Sequence, residues 1–256
     1  MSRFVNLEFN DESEQFKPKT GLKGEAYYCD QARAAFEDGN FESALRFYSK
    51  VLEFNPGNVG AWAGQVRMLI ELGEFQEAKL WADKAVDRFP RDPELLAAKA
   101  VALARAGDLD AALTFSDAAI EERGETPYLW LARADVLLAR REPRADYCFD
   151  KAQILAPGDW FIAWLCSRIR SYYKQFALAL KHAQQAIESN AGHFMLWIEL
   201  SRCQQALGLM GAARTSLNQA RQLNPNCRNA SAAMTVLANS GISGRLIGWW
   251  RRLFGS

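Results

Sequence analysis

Apolar positions recur along the chain with two periods, one typical of helices and one of about 34 residues. Within residues 59–92, Trp62, Val66 and Leu69 fall at i, i+4 and i+7, and the helical spacing resumes after a break at Gly73. A glycine between two helical stretches favours a turn, because it adopts left-handed backbone conformations at little cost. The pattern therefore predicts a helix, a turn and a second helix in this unit.

The longer period repeats that unit along the chain. Alanines recur at intervals of 34, 34, 33, 34 and 34 residues, namely Ala44, Ala78, Ala112, Ala145, Ala179 and Ala213. The register divides the chain into six units: 25–58, 59–92, 93–126, 127–159, 160–193 and 194–227. A repeat of this length predicts stacked helix pairs that bury a shared core between neighbours.

These residues resemble the signature of the tetratricopeptide repeat family, with Trp62, Trp130 and Trp197 at its aromatic position. The resemblance implies an all-α fold, a right-handed superhelical α-solenoid of antiparallel helix pairs. It also implies a non-catalytic scaffold or adaptor that binds proteins. The fourth unit is one residue short, and the fifth has Lys174 instead of a turn glycine, so we expect a local change of geometry there.

The repeat register also predicts the domain organisation. An N-terminal arm, residues 1–22, precedes a six-repeat solenoid at 23–227. Residues 228–240 continue at helical spacing and are expected to cap the last repeat. Residues 241–256 have no place in the repeat and form a separate basic tail.

Composition narrows the functional classes. A net charge of +1 leaves no basic footprint for nucleic acid, so DNA or RNA is not expected as a partner. Five cysteines without a CxxC pair indicate reduced thiols in the cytoplasm. No stretch approaches the roughly 20 apolar residues that cross a bilayer, so neither secretion nor membrane spanning is expected.

Candidate catalytic chemistry is sparse. The two histidines, His182 and His193, are not spaced to share a helical face as a metal pair. The run Gly-Asp-Leu-Asp at 107–110 is interpreted as a turn in which Asp108 caps a helix, not as a phosphate loop. With no nucleophile beside a base, we expect no enzymatic activity, no metal and no cofactor.

First helices line a concave groove in the family that this chain resembles. Carried over to this sequence, the candidate partner-binding residues are Arg33, Arg67, Tyr128, Leu131, Phe161, Trp164, Arg168, Met195, Ile198 and Arg202. An apolar patch beside arginines favours a protein partner, a peptide or helix that carries apolar and acidic side chains. Two alternatives stay open: the arginines pair with acids on the next helix, or Trp164 belongs to the core because its unit is shifted.

The tail reads as a basic amphipathic helix. Its candidate residues for contact with a membrane or a partner are Leu246, Ile247, Trp249, Trp250, Arg251, Arg252, Leu253 and Phe254. It resembles the C-terminal membrane-targeting helix of the bacterial division-site ATPase MinD. A helix of roughly 13 residues, about 20 Å, is too short to span a bilayer but suits the surface of an anionic membrane, such as its inner face. Alternatively, the tail packs on the repeats, or enters a partner groove in an enzyme complex for which this chain is a soluble regulatory or assembly subunit.

The N-terminal arm combines apolar residues, among them Val5, Leu7 and Phe9, with several acids. A flexible segment is the ordinary expectation for such a terminus. The composition also suits an arginine-bearing groove, so a second expectation is that the arm occupies the groove of its own chain or of a neighbouring copy.

Overall fold

The structure is a computed structural model that describes residues 24–122, 125–227, 230–235 and 237. The N-terminal arm and the C-terminal tail therefore lie outside the described residues. Within the described ranges the chain forms twelve α-helices and no strand: α1 (Glu25–Glu37), α2 (Phe41–Phe54), α3 (Val59–Glu71), α4 (Phe75–Arg88), α5 (Pro93–Ala106), α6 (Leu109–Glu121), α7 (Pro127–Ala139), α8 (Ala145–Leu155), α9 (Trp160–Tyr172), α10 (Phe176–Ser189), α11 (Phe194–Ala206) and α12 (Met210–Leu223). The predicted all-α fold of helix pairs is confirmed.

Side-chain caps and prolines account for many of the helix starts. The side chains of Asn40, Asn58, Asp92 and Asp108 each accept a hydrogen bond from the backbone N–H three residues later. These contacts satisfy donors that a helix N-terminus otherwise leaves unpaired. Asp108 therefore caps α6 as predicted. Pro93 and Pro127 begin α5 and α7, where a missing N–H costs nothing.

The turn within each helix pair uses a left-handed residue. Gly73 and Gly107 have φ of +79° and +96°. In the α9–α10 turn Lys174 takes φ of +61°, and in the α7–α8 turn Arg141 takes +60°. The turn of the fifth unit thus keeps the left-handed conformation although Lys174 replaces the glycine. A side chain in that conformation costs about 1 kcal/mol of conformational free energy.

The helices form two compact units, the first ending at Leu155 and the second beginning at Ala156. In unit 1, which contains α1 to α8, each helix packs on its neighbours in the chain, and α5 also packs on α3 and α7. The alanines of the repeat period, Ala44, Ala78, Ala112 and Ala145, are all buried. Ala112 lies in one buried cluster with Ala100, Leu103 and Ala104 of α5, the other helix of its pair.

Unit 2 contains α9 to α12, and α11 packs against α9, α10 and α12. Residues 230–235 are helical and belong to the segment expected to cap the last repeat. Leu237 is buried in a cluster with Ala213 and Leu217 of α12, and Ala233 and Met234 pack against that cluster. These contacts cover the apolar face of α12.

A buried ion pair joins two first helices of unit 1. Arg105 on α5 donates from Nε to Asp135 Oδ1 at 2.9 Å and from Nη2 to Oδ2 at 2.6 Å. The side chains of Arg105 and Asp135 are only 8% and 4% exposed. A second pair, Arg133 with Asp117 at 2.6 Å, lies at the surface, where Asp117 is 48% exposed. The charges of the Arg105–Asp135 pair are therefore shielded from water, whereas those of the Arg133–Asp117 pair remain partly hydrated.

Ala78→Leu should destabilise unit 1, because the added side chain overpacks a position where two helices touch. We expect a loss of about 1–3 kcal/mol in the free energy of unfolding, measured by urea titration with circular dichroism. Gln76→Leu is the matched control, since Gln76 is exposed on the same helix. Equal effects of the two substitutions would contradict the close approach at Ala78.

Asp135→Asn should cost about 3 kcal/mol of unfolding free energy, because it leaves the buried guanidinium of Arg105 without its counter-charge. Asp117→Asn, which breaks the exposed pair, should cost less than about 1 kcal/mol. The same urea titration measures both. A small loss at Asp135 would mean that water reaches Arg105.

Candidate functional site

Four of the predicted groove residues lie in the interior. Leu131, Trp164, Met195 and Ile198 are at most 1% exposed, and Phe161 is half-buried. The expectation of an exposed apolar patch at these four positions is therefore wrong. The first helices that carry them also pack along the stack, α7 on α5 and α11 on α9, and this packing leaves little room for a surface there.

Trp164 shows how the shifted fifth unit changes the role of a residue. Its ring lies 5.4 Å from that of Phe161, and the guanidinium carbon of Arg168 lies 5.2 Å from its centroid. The side chain is fully buried. The alternative that Trp164 belongs to the core is the one the structure supports.

The two candidate arginines of unit 2, Arg168 and Arg202, share one buried acid. Glu199 on α11 is 1% exposed and lies 3.6 Å from Arg168 and 3.4 Å from Arg202. The hydroxyl of Ser171 donates a further hydrogen bond to Glu199 at 3.0 Å. Arg168 therefore pairs with an acid on the next first helix, as the alternative interpretation expected.

The arginines of unit 1 have a different environment. Arg33 on α1 is exposed and Arg67 on α3 is half-buried. The guanidinium carbon of Arg67 lies 4.0 Å from the ring centroid of Tyr128 and 5.2 Å from that of Phe36. Among the residues that the structure describes, neither arginine has a hydrogen bond or a salt bridge to an acid. Arg67 thus packs against two aromatic rings, and its N–H groups donate no hydrogen bond to any residue that the structure describes.

Tyr48 completes this cluster from α2. Its ring lies against the backbone of Gly64, where a Cβ would be 2.5 Å from the ring carbon Cζ. Burial raises the pKa of Tyr48, and the nearby positive charges of Arg67 and Arg33 oppose that rise. Tyr48 is thus within electrostatic range of both arginines, and it stays protonated at neutral pH.

Tyr128 behaves in the same way on α7. Burial raises its pKa well above the usual range, and the charge of Arg67 is the largest opposing influence. We call Arg33, Phe36, Tyr48, Arg67 and Tyr128 the arginine site. Guanidinium and phenol groups donate hydrogen bonds and do not take up protons at neutral pH. The arginine site can therefore bind an anionic oxygen, but it offers no general base.

Three residues of this region were not identified from the sequence: Phe36, Tyr48 and Gly64. Phe36 follows Arg33 by three residues and shares its helix face, which is a recognisable signal. Gly64 lies three residues before Arg67 in the middle of a helix, where glycine is unfavourable unless another group approaches closely. The partner that approaches, Tyr48, is not visible in the spacing.

Both histidines take part in packing contacts. Arg170 Nε donates to His182 Nε2 at 3.1 Å, and His182 Nδ1 lies 3.0 Å from Gln185 Oε1. His193 stacks on Trp160 with ring centroids 4.5 Å apart. Across the described residues there is no group of three or more histidine, cysteine or acidic side chains that could hold a metal ion.

The cysteines are free thiols. All five lie in the described ranges and none forms a disulfide. Burial is the main cause that raises the pKa of Cys148 and of Cys203. Both therefore remain protonated at neutral pH and are poor nucleophiles.

None of the described helices is both long enough and apolar enough to cross a membrane. Large exposed apolar side chains lie outside the predicted groove. Tyr147 and Ile154 share one face of α8, whereas Leu209 precedes α12 and Met210 begins it.

Comparison with known proteins shows which family part of the chain resembles. The sequence model of the tetratricopeptide repeat family matches residues 35–102, which contain the second repeat and parts of its neighbours. No match was found among curated proteins. The sequence match to the family therefore covers residues 35–102, and the repeat register extends the same pattern over residues 25–227.

Several solved structures share the fold. A thermophilic tetratricopeptide repeat protein of Thermus thermophilus is 21% identical with a TM-score of 0.54, and the match covers 72% of this chain and 99% of that one. A tetratricopeptide repeat protein of Parabacteroides merdae is 12% identical with a TM-score of 0.51, over 85% and 87% of the two chains. PilW, a type IV pilus biogenesis factor, is 14% identical with a TM-score of 0.50, over 82% and 98%. With its twelve described helices and its 34-residue register, this chain has the fold of tetratricopeptide repeat proteins, and its residues 35–102 match the sequence model of that family.

Proposed function

We propose that the protein is a non-catalytic scaffold that binds an acidic segment of a partner protein at the arginine site. The observation that carries this proposal is the contrast between the two units. The arginines of unit 2 share the carboxylate of Glu199, whereas Arg33 and Arg67 have no acid partner among the described residues. A carboxylate from another molecule would supply the missing counter-charge.

The surroundings of Arg67 favour recognition of a carboxylate. Contacts with the rings of Phe36 and Tyr128 stabilise the cation and restrict its motion. A planar guanidinium that is held in place can form two parallel hydrogen bonds to one carboxylate. Less side-chain entropy is then lost on binding.

The aromatic residues of the arginine site also suit apolar neighbours of the acid. Partner recognition would thus combine a charge-assisted contact with packing against rings, the combination common at interface hot spots. The half-buried Phe161 belongs to the other unit and remains a separate candidate contact. Leu131, Trp164, Met195 and Ile198 would support the fold rather than touch the partner.

The second part of the proposal concerns the C-terminal tail and a membrane surface. Residues 241–256 carry a Trp-Trp-Arg-Arg-Leu-Phe run that suits the interface of an anionic membrane. We propose that the tail recruits a cytoplasmic scaffold to the inner face of a membrane. In the alternative, the tail enters a groove of an enzyme complex. The protein would then capture that complex in the absence of lipid, and deletion of the tail would abolish the capture.

Arg67→Gln should weaken binding of acidic peptides by about tenfold or more, because a lost charge-assisted hydrogen bond costs at least about 1.4 kcal/mol. Peptides selected from a random library on the full chain should be enriched in Asp and Glu beside aromatic residues. Fluorescence anisotropy then gives the dissociation constant for each variant.

Arg202→Gln is the matched control, since Arg202 already has Glu199 as its partner. It should change the affinity less than about twofold, and Arg67→Lys should recover only part of it, because lysine cannot form the planar contact. Selection of peptides without acids, or equal losses in the Arg67 and Arg202 variants, would contradict the proposal.

Leu253→Glu should abolish flotation of the protein with vesicles that contain anionic lipid, because it places a charge on the apolar face of the tail. Gly248→Glu adds the same charge on the opposite side of the predicted helix and should leave flotation intact. Vesicles of neutral lipid should bind the wild type weakly. If the wild type and the Leu253 variant float equally, the membrane role of the tail is wrong.

A further inference from the structure

We infer that the arginine site is occupied in cis by the chain's own N-terminal arm, residues 1–22. The inference rests on the proposed function, because it assigns the same carboxylate-binding chemistry to a segment of this protein. A partner's acidic segment would then have to displace the arm.

Charge complementarity is the first argument. Residues 4–16 contain four acids and no lysine or arginine: Glu8, Asp11, Glu12 and Glu14. The same stretch holds the apolar residues Phe4, Val5, Leu7, Phe9 and Phe16. The arm thus carries the acidic and aromatic composition that the arginine site fits, in a chain whose overall net charge is only +1.

The point of attachment is the second argument. The described chain begins at Gly24, which precedes the first residue of α1. Arg33 lies nine residues further along, which is about 14 Å at 1.5 Å per helical residue. Glu14 lies ten residues before Gly24, and an extended segment of that length reaches about 33 Å. The acids can therefore fold back along α1 to Arg33 and to Arg67 on the nearby α3.

The start of α1 is itself fixed in position. The carboxylate of Glu25 accepts hydrogen bonds from Asn55 Nδ2 at 2.9 Å and from Asn58 Nδ2 at 2.8 Å. These contacts tie α1 to the turn between α2 and α3. The arm therefore leaves from a fixed point on the unit that contains the arginine site.

A short tether makes binding in cis effective even when each contact is weak. A segment held by a linker of this length has an effective concentration on the order of millimolar. A free partner at micromolar concentration competes with the arm only if it binds considerably more tightly. The arm would thus exclude weak acidic competitors and would admit a specific partner.

Hydrogen exchange of the full chain, followed by mass spectrometry, tests the inference. Amides within residues 4–16 should exchange about tenfold more slowly in the wild type than in the double variant Arg33→Gln/Arg67→Gln. The same protection should be lost in the arm variant Glu8→Gln/Asp11→Asn/Glu12→Gln/Glu14→Gln. The matched control, Arg168→Gln/Arg202→Gln, should keep the protection.

Three outcomes would overturn the inference. The first is an arm that exchanges at the same rate in the wild type and in Arg33→Gln/Arg67→Gln. The second is an equal loss of the arm's protection in the unit 2 control. The third is protection of the arm that varies with protein concentration, which would assign the site to the arm of a second copy. Unchanged exchange in α2, α4 and α6, which carry none of the substituted residues, shows that unit 1 remains folded in each variant. Arg33→Gln alone, at an exposed position, serves as a milder variant that should give a partial loss.

The same variants separate this inference from the proposed function. If the arm is never protected but acidic peptides still bind through Arg67, the cis occupancy is wrong and the scaffold function stands. If the inference holds, the arm variant should bind a selected acidic peptide more tightly than the wild type does.

Discussion

The close approach of paired helices at one small residue per repeat is the constraint on which the rest of the structure depends. Ala78 and Ala112 are fully buried where two helices touch, and their counterparts recur in every unit. A larger side chain there would push the helices apart. Because this approach sets the register, it also decides which residues of the first helices face neighbours and which face solvent.

The repeats share a register but differ in how their charges are compensated. At equivalent positions of the first helices α3, α7 and α11 the chain has Arg67, Asp135 and Arg202. Asp135 is held by the buried Arg105, and Arg202 lies beside the buried Glu199, whereas Arg67 contacts aromatic rings. The same repeat position therefore forms an internal ion pair in two repeats, at Asp135 and Arg202. In a third repeat it carries Arg67, a cation without an acid partner among the described residues. This difference, rather than the fold, makes unit 1 a candidate for recognition.

Most of the fold could be predicted from the sequence, and the site only in part. Periodic alanines and the cap at Asp108 depend on local spacing, which the chain displays directly. The burial of Trp164 and Met195 depends on packing between helices that lie far apart in the sequence, so a position carried over from a family pattern misplaced them. The contact of Arg67 with Tyr128 joins residues 61 positions apart, and no periodic signal reports such a pair.

The central claim is that Arg33 and Arg67 bind a carboxylate, and the side-chain Nε–H resonances of the arginines in the full chain report on it most directly. Titration of the full-length arm variant, in which the four acids of the arm are neutralised, with acidic peptide should shift the resonances of Arg33 and Arg67 in a saturable way, because a new charge-assisted hydrogen bond changes their environment. The resonances of Arg168 and Arg202 should stay in place, since Glu199 already pairs with both. Shifts confined to Arg168 and Arg202, or no saturable shift at Arg67, would contradict the account.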